Sequence, residues 1–209
     1  TKRIVIVGSG IAAVTAIKTI REIDLDSEIY LIGQEKFYPY NRIRLSKGIF
    51  DELEENNILI KKKEWYQQNK VEIFINTKVE NIDVGSFELL LGDGSKVRYD
   101  KLLITTGSRN NIPAIDGIDK DNVYTLRGLN DALNIKDSLK ESKQVIVIGG
   151  GILGLEMSWI LHQHGIKVTI IEFQSRLMPR QLDYRASEIF KKYNTGLWNR
   201  GIKDRKSTR

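Results

Sequence analysis

Two glycine-rich turns of one pattern stand about 140 residues apart in this chain, each set between an apolar run and a helical stretch. The first, Gly8-Ser9-Gly10-Ile11-Ala12-Ala13, follows Ile4-Val5-Ile6-Val7. The second, Gly149-Gly150-Gly151-Ile152-Leu153-Gly154, follows Val145-Ile146-Val147-Ile148. In a strand–turn–helix of this kind the first glycine (Gly8, Gly149) permits the sharp turn. The second (Gly10, Gly151) lets the backbone approach a pyrophosphate, and the last position (Ala13, Gly154) keeps the helix close to its strand. The first helical turns, with Ala12 and Ile152, then point N–H groups and the positive end of the helix dipole at the phosphates. One such turn is a weak signal, since glycines also punctuate ordinary strand–helix connections. Two imply two dinucleotides on one chain, and two dinucleotides brought together usually exchange a hydride.

The patterning around the turns predicts an α/β chain of two Rossmann-like dinucleotide-binding units, the second incomplete. Strand, helix and strand are expected up to Val7, over 11–23 and over 28–32, and again over 145–148, 152–164 and 168–172. Between them, Tyr38 to Arg42 reads as a loop entering a helix near Leu45, and 62–69 as helical. Strands follow at 71–75 and 78–84, then a hairpin turning at Gly92-Asp93-Gly94 and a buried strand at Leu102-Leu103-Ile104. The stretch from Asn110 to Gly117, with Pro113, marks a crossover, so the expected domains are 1–112 and 113–209. A helix is expected over 130–140.

Composition narrows the chemistry. The 209 residues contain no cysteine, which removes disulfides, thiolate-held clusters, cysteine zinc sites and redox cysteine pairs from this chain. No apolar run approaches membrane-spanning length, so neither a signal peptide nor a transmembrane helix is expected, and a cytoplasmic location is the default. The net charge of +6 is spread among interleaved acids, which argues against nucleic acid and suits an acidic protein partner instead. Lys61-Lys62-Lys63 reads as a solvated helix face. His162 and His164 are two apart and share no helix face, so they suit a polar helix end better than a metal pair. Trp65, Tyr66 and Trp159 read as packing aromatics.

Glu172 ends the strand after the second turn, where an acid accepts hydrogen bonds from adenine-ribose hydroxyls and repels a 2′-phosphate. NADH is then favoured over NADPH, although Arg176 could soften the preference. A solvated strand-end glutamate is the alternative. The matching place in the first unit falls at Gln34 or Glu35, of which Glu35 is the better chemical candidate.

The two turns, together with Pro39 to Lys47 (PYNRIRLSK), Thr105-Thr106-Gly107-Ser108-Arg109 and Met178 to Asp183, resemble the flavin-dependent pyridine nucleotide oxidoreductases with two dinucleotide-binding domains. Within them the chain looks most similar to rubredoxin and ferredoxin reductases and to the amino-terminal part of NADH-dependent nitrite reductases. The resemblance covers about residues 2 to 192. It implies FAD on the first turn and NADH on the second. Arg42 and Lys47 would contact the flavin, Thr106 and Gly107 would close over it, and Val79 would lie beside the adenine. Lys47 and Glu156 would pair near the reacting ring, and each alone could equally be an ordinary surface lysine and a helix-side acid. The implied metal set is none, and the implied acceptor is a small redox protein or a downstream metal-containing domain.

From about residue 193 the sequence shows neither helical nor strand period and turns basic, with Arg200, Lys203, Arg205, Lys206 and Arg209. Chains of this resemblance continue well past this point, so a truncated chain is expected, and a non-catalytic nucleotide-binding fragment is the second reading.

Overall fold

A computed structural model describes residues 1–51 and 53–194. The irregular basic stretch expected from about residue 193 lies outside the described residues from position 195 onward. Along the chain the elements are β1 (Arg3–Val7), α1 (Ile11–Ile23), β2 (Glu28–Ile32), α2 (Ile43–Lys47), α3 (Glu55–Ile58), α4 (Lys63–Gln68), β3 (Val71–Phe74), β4 (Val79–Asp83), β5 (Glu88–Leu91), β6 (Lys96–Arg98) and β7 (Lys101–Ile104). After a long irregular connection come α5 (Leu129–Leu139), β8 (Gln144–Ile148), α6 (Ile152–Gln163), β9 (Lys167–Ile171) and α7 (Tyr184–Asn194). They divide into two compact units: described residues 1–44 and 53–114, and described residues 45–51 and 115–194. The segment Leu45–Asp51, which the sequence assigns to the first domain, is gathered into the second unit.

In the first unit a parallel sheet runs in the order β3-β2-β1-β7. β1 lies between β2 and β7, with Ile6 opposite both Leu31 and Leu103. Strands β1 and β2 are near-continuous apolar runs because both faces of the sheet are covered. On one face, Ala13, Val14 and Ile17 of α1 pack on Ile6, Ile29 and Leu31, with Tyr66 of α4 closing the layer. On the other, Leu89, Leu91 and Tyr99 from the antiparallel meander β4-β5-β6 pack on Val5, Val7 and Ile32. Each fully buried aliphatic side chain contributes about 1.5–3 kcal/mol relative to exposure, so this double layer is what fixes the carboxyl end of β1 in place. The meander turns where expected: Gly94 has φ +85° and Asp93 Oδ1 accepts the Ser95 N–H at 2.9 Å. Arg21 of α1, itself buried, donates to the Asn69 carbonyl at 2.7 Å and the Asp24 carbonyl at 3.0 Å, closing the ends of α4 and α1 together. The Tyr66 hydroxyl is buried with no hydrogen-bond partner, and burial pushes its phenol well above the ordinary tyrosine range.

One expectation is corrected. The strand at 102–104 is not fully buried: Leu103 is 38% exposed and Ile104 57%. It forms the outer edge of the sheet, paired with β1 alone among the described residues, and an apolar run does not reveal whether a further layer covers it.

The second unit is smaller. β8 and β9 pair in parallel, from Gln144 opposite Lys167 to Ile148 opposite Ile171, and no further strand joins them among the described residues. α6 packs on this pair through Leu155, Ser158 and Leu161, while Ile146 and Ile148 on β8 are more than half exposed. α5 opens where the Asp131 carboxylate accepts the Gly128 and Arg127 N–H groups at 2.8 and 2.9 Å. α7 is an element the sequence pattern did not announce. Ser187, in its first turn, is buried and donates to the Leu177 carbonyl at 2.8 Å. No helix among the described residues is long and apolar enough to cross a membrane.

Candidate functional site: two glycine cradles

The first glycine turn sits at the carboxyl end of β1, between the ends of β2 and β7. Gly8 has φ +107°, a region L side chains rarely adopt, and a Cβ there would lie 2.4 Å from the Thr105 carbonyl oxygen. The Gly8 N–H donates to Ile32 O at 2.8 Å, and Thr105 Oγ1 donates to Gly8 O at 2.9 Å or Val7 O at 3.1 Å. Strand ends on both sides therefore hold this turn. Gly10 is the N-cap of α1, and a Cβ added there would meet nothing within 4 Å. Ala13 is fully buried against the strand, whereas Ile11 and Ala12 are exposed in the first helical turn.

The second turn sits at the carboxyl end of β8. Gly149 has φ +114°, its N–H donates to Ile171 O at 2.8 Å, and neither Gly149 nor Gly151 has an atom within 4 Å of an added Cβ. Gly150 is the crowded residue here, with Leu177 Cδ2 at 2.5 Å and Glu172 Oε2 at 3.1 Å from its would-be Cβ. Its carbonyl accepts the Met178 N–H at 2.9 Å. Gly154 is obligatory for packing: a Cβ would fall 2.0 Å from the Gly149 carbonyl oxygen. Ile152 opens α6 and is half exposed.

Glu172 follows β9 and is only 8% exposed. Its Oε2 accepts the Gly150 N–H at 2.6 Å and its Oε1 the Gln174 N–H at 2.7 Å. A solvated strand-end glutamate is thus excluded, because the carboxylate staples the second turn to the end of β9. Arg176 is occupied as well, donating to the carbonyls of Pro179 at 3.0 Å and Leu182 at 3.3 Å. It is held along the chain rather than presented to a 2′-phosphate.

Several other predicted residues have partners that the sequence did not reveal. Glu35 lies three residues beyond β2 and forms an ion pair with Arg42, while Tyr40 Oη donates to its other oxygen at 2.5 Å. Glu156 on α6 accepts a hydrogen bond from Ser46 Oγ, and among the described residues no ion pair joins it to Lys47. The expected Lys47–Glu156 pair is therefore corrected to Ser46–Glu156. Leu45 and Ser46 are the buried side of α2, and Lys47, a further turn of about 100° round the helix, is exposed. Val79 opens β4, pairs with Leu91 and packs half-buried on the core. Thr106 and Gly107 are exposed just past β7, Gly107 with φ +71°. Thr105, one residue before them, clasps the first turn.

His164 Nδ1 lies 2.8 Å from the Ile160 carbonyl and its ring stacks on Phe50 at 3.8 Å, as a helix-end residue would. Lys61 and Lys63 rest over the rings of Trp65 and Tyr38 at 5.6 and 4.8 Å, so the lysine run is not a simple solvated face. Tyr66 and Trp65 join the core, but Trp159 is 37% exposed.

Both cradles fit phosphate groups. α1 and α6 carry no acidic residue in their first turns and no side-chain cap, leaving N-terminal N–H groups directed outward. The space that a Cβ would fill at Gly10 and Gly151 is open. Two such cradles at the ends of parallel strands define a protein built from two dinucleotide-binding units. The chain belongs to the pyridine nucleotide-disulphide oxidoreductase family, whose model matches residues 2–204 and so continues past Lys192, where the resemblance was expected to end.

It is similar to the ferredoxin–NAD(+) reductase component of the 3-phenylpropionate/cinnamic acid dioxygenase of Photorhabdus laumondii, with 36% identity over 84% of this chain and 45% of the relative. It is also similar to a rubredoxin–NAD(+) reductase of Pseudomonas putida, with 35% identity over 89% of this chain and 49% of the relative. The fold matches the NADH:rubredoxin oxidoreductase of Clostridium acetobutylicum with a TM-score of 0.87, 32% identity, 97% of this chain and 52% of that one. The chain spans about half the length of the curated relatives it matches.

Proposed function

We propose that this chain is the nucleotide-binding portion of an NADH-dependent flavoprotein reductase. The observation that carries the reading is the pair of cradles, each with a left-handed first glycine and an open helix N-terminus. In this reading the first unit is the FAD-binding domain and the second the NADH-binding domain. When bound, NADH supplies a hydride, and FAD accepts it and releases electrons onward.

The chain's own residues bind and orient. Gly8, Gly10, Ala12 and Ala13 present the α1 terminus to the FAD phosphates, with Glu35 toward ribose, Arg42 toward the flavin and Val79 toward adenine. Thr106 and Gly107 close over the ring system. Gly149, Gly151, Ile152 and Gly154 do the same work for NADH. Glu172 keeps lone pairs for the ribose hydroxyls while its buried charge repels a 2′-phosphate, and the engaged Arg176 offers no relief, so NADH is preferred over NADPH. Lys47 supplies a cation and Glu156 a carboxylate at the reacting ring.

With no cysteine on the chain, the electron acceptor is not a disulfide of its own. A small redox protein of the rubredoxin or ferredoxin type fits best, and a metal-containing domain of nitrite reductase type is the more distant option. A cytoplasmic site of action goes with this reading, since NADH is the reductant. A second reading is a fragment that binds nucleotide without turnover, favoured by the half-length match to the relatives.

The test is the anaerobic visible spectrum of the FAD-reconstituted chain before and after NADH. Bleaching of a bound-flavin spectrum supports the reductase. A bound flavin that NADH leaves oxidised supports the fragment reading, and no bound flavin at all removes the FAD assignment.

A further inference from the structure

Tyr40 has no part in the cofactor contacts assigned above, yet it joins two residues that do. Its backbone is fixed on both sides: Ile60 N–H donates to Pro39 O at 3.0 Å, Asn41 N–H donates to Ile58 O at 2.8 Å, and Tyr40 bridges Leu59. Its side chain is buried, with Phe37 edge-on at 6.3 Å. From that rigid seat the hydroxyl donates to Glu35 Oε2 at 2.5 Å and accepts from Arg42 Nη1 at 2.9 Å. Arg42 Nη2 pairs with the other Glu35 oxygen, and its Cζ lies 4.9 Å from the Tyr40 ring centroid. Acid, cation and phenol thus form a closed three-membered ring of hydrogen bonds.

An isolated glutamate–arginine pair at this degree of exposure would be loosely oriented, because both side chains keep much of their rotamer freedom. A buried phenol that bonds both partners removes that freedom before any ligand arrives. We propose that Tyr40 is a positioning residue that presets the Arg42 guanidinium and the Glu35 carboxylate for the FAD on the first unit. Preset groups lose less entropy on binding, so the gain appears as affinity. The inference rests on the FAD assignment.

Tyr40→Phe keeps the ring, its burial and the contact with Arg42, and removes only the hydroxyl. Its FAD dissociation constant, read by quenching of flavin fluorescence, should rise about tenfold, the size of one net hydrogen bond. The melting temperature of the unliganded chain should move little by comparison. Because Tyr40 acts through Arg42 and Glu35 together, adding Tyr40→Phe to the double variant Glu35→Gln/Arg42→Gln should weaken FAD binding no further. Should Tyr40→Phe not fold, Tyr40→Met, which fills the seat with an apolar side chain and also lacks the hydroxyl, should show the same rise. Unchanged FAD affinity in Tyr40→Phe, or losses that simply add, would overturn the inference while leaving the FAD assignment intact. A wild-type chain that binds no FAD overturns both.

Discussion

The two glycine turns share a sequence pattern, a left-handed first glycine and a position at the end of a parallel strand, but they are held by different means. The first is clamped by backbone: β7 runs beside β1 and brings the Thr105 carbonyl against Gly8. The second has no strand on that side among the described residues, and Gly149 has open space where Gly8 has a wall. Side chains clamp it instead, through the Glu172 carboxylate on the Gly150 N–H and Leu177 against Gly150. The helices differ too. α1 leaves room for the Cβ of Ala13, whereas α6 comes so close to its strand that only glycine fits at 154. One motif therefore has two sets of obligatory positions, decided by what the rest of the fold puts beside each turn.

The largest effect should separate Gly8 from Gly149. Gly8→Ala combines about 1–3 kcal/mol of left-handed strain with about 1–3 kcal/mol of overpacking against Thr105. It should lower the melting temperature and abolish FAD retention. Gly149→Ala incurs the strain alone and should fall by roughly half as much. Equal losses in the two variants would break the distinction.

Next comes the helix contact. Gly154→Ala must push α6 off its strand and should lose about 1–3 kcal/mol of stability together with NADH binding. Ala13→Gly in the first unit should lose only about 1 kcal/mol of helix propensity and keep FAD. Thermal melts of both variants, read beside nucleotide titrations, decide it.

Glu172→Gln then probes the side-chain clamp. It weakens charge-assisted bonds to two backbone N–H groups, with an expected loss of about 1.5 kcal/mol and a several-fold weaker NADH complex. Thr105→Val gives the smallest change, about 1 kcal/mol, because it removes one hydroxyl and leaves the backbone wall beside Gly8 standing. A Thr105→Val effect larger than that of Glu172→Gln would mean that the first turn also depends on side chains.

The βαβ units were legible because their signals are local. Apolar runs of strand length, glycines at fixed offsets and a 3.6-residue apolar stripe put α1 at Ile11–Ile23 and β2 at Glu28–Ile32, with both second-unit strands within one residue of expectation. Partners were less legible than elements. That Ser46 rather than Lys47 reaches Glu156 depends on the rotational phase of a five-residue helix, which carries no periodicity to read. That Glu172 faces the second turn rather than solvent depends on how β9 exits the sheet, and a strand-end acid looks the same in sequence either way. Leu103 and Ile104 form an apolar run like that of β1, and nothing local distinguishes an edge from a centre. The importance of Tyr40 and Thr105 has no local signal, because it lies in hydrogen bonds spanning 5 and 97 residues of sequence.

Two separate cradles on one chain should take two different dinucleotides at once. Calorimetric titration of the purified chain with FAD, followed by titration of the FAD-loaded chain with NAD⁺, tests it most directly. Two distinct one-to-one binding events are predicted, with the second selectively weakened in Gly154→Ala. Competition of NAD⁺ with FAD for a single site, or binding of only one of the two, would contradict it.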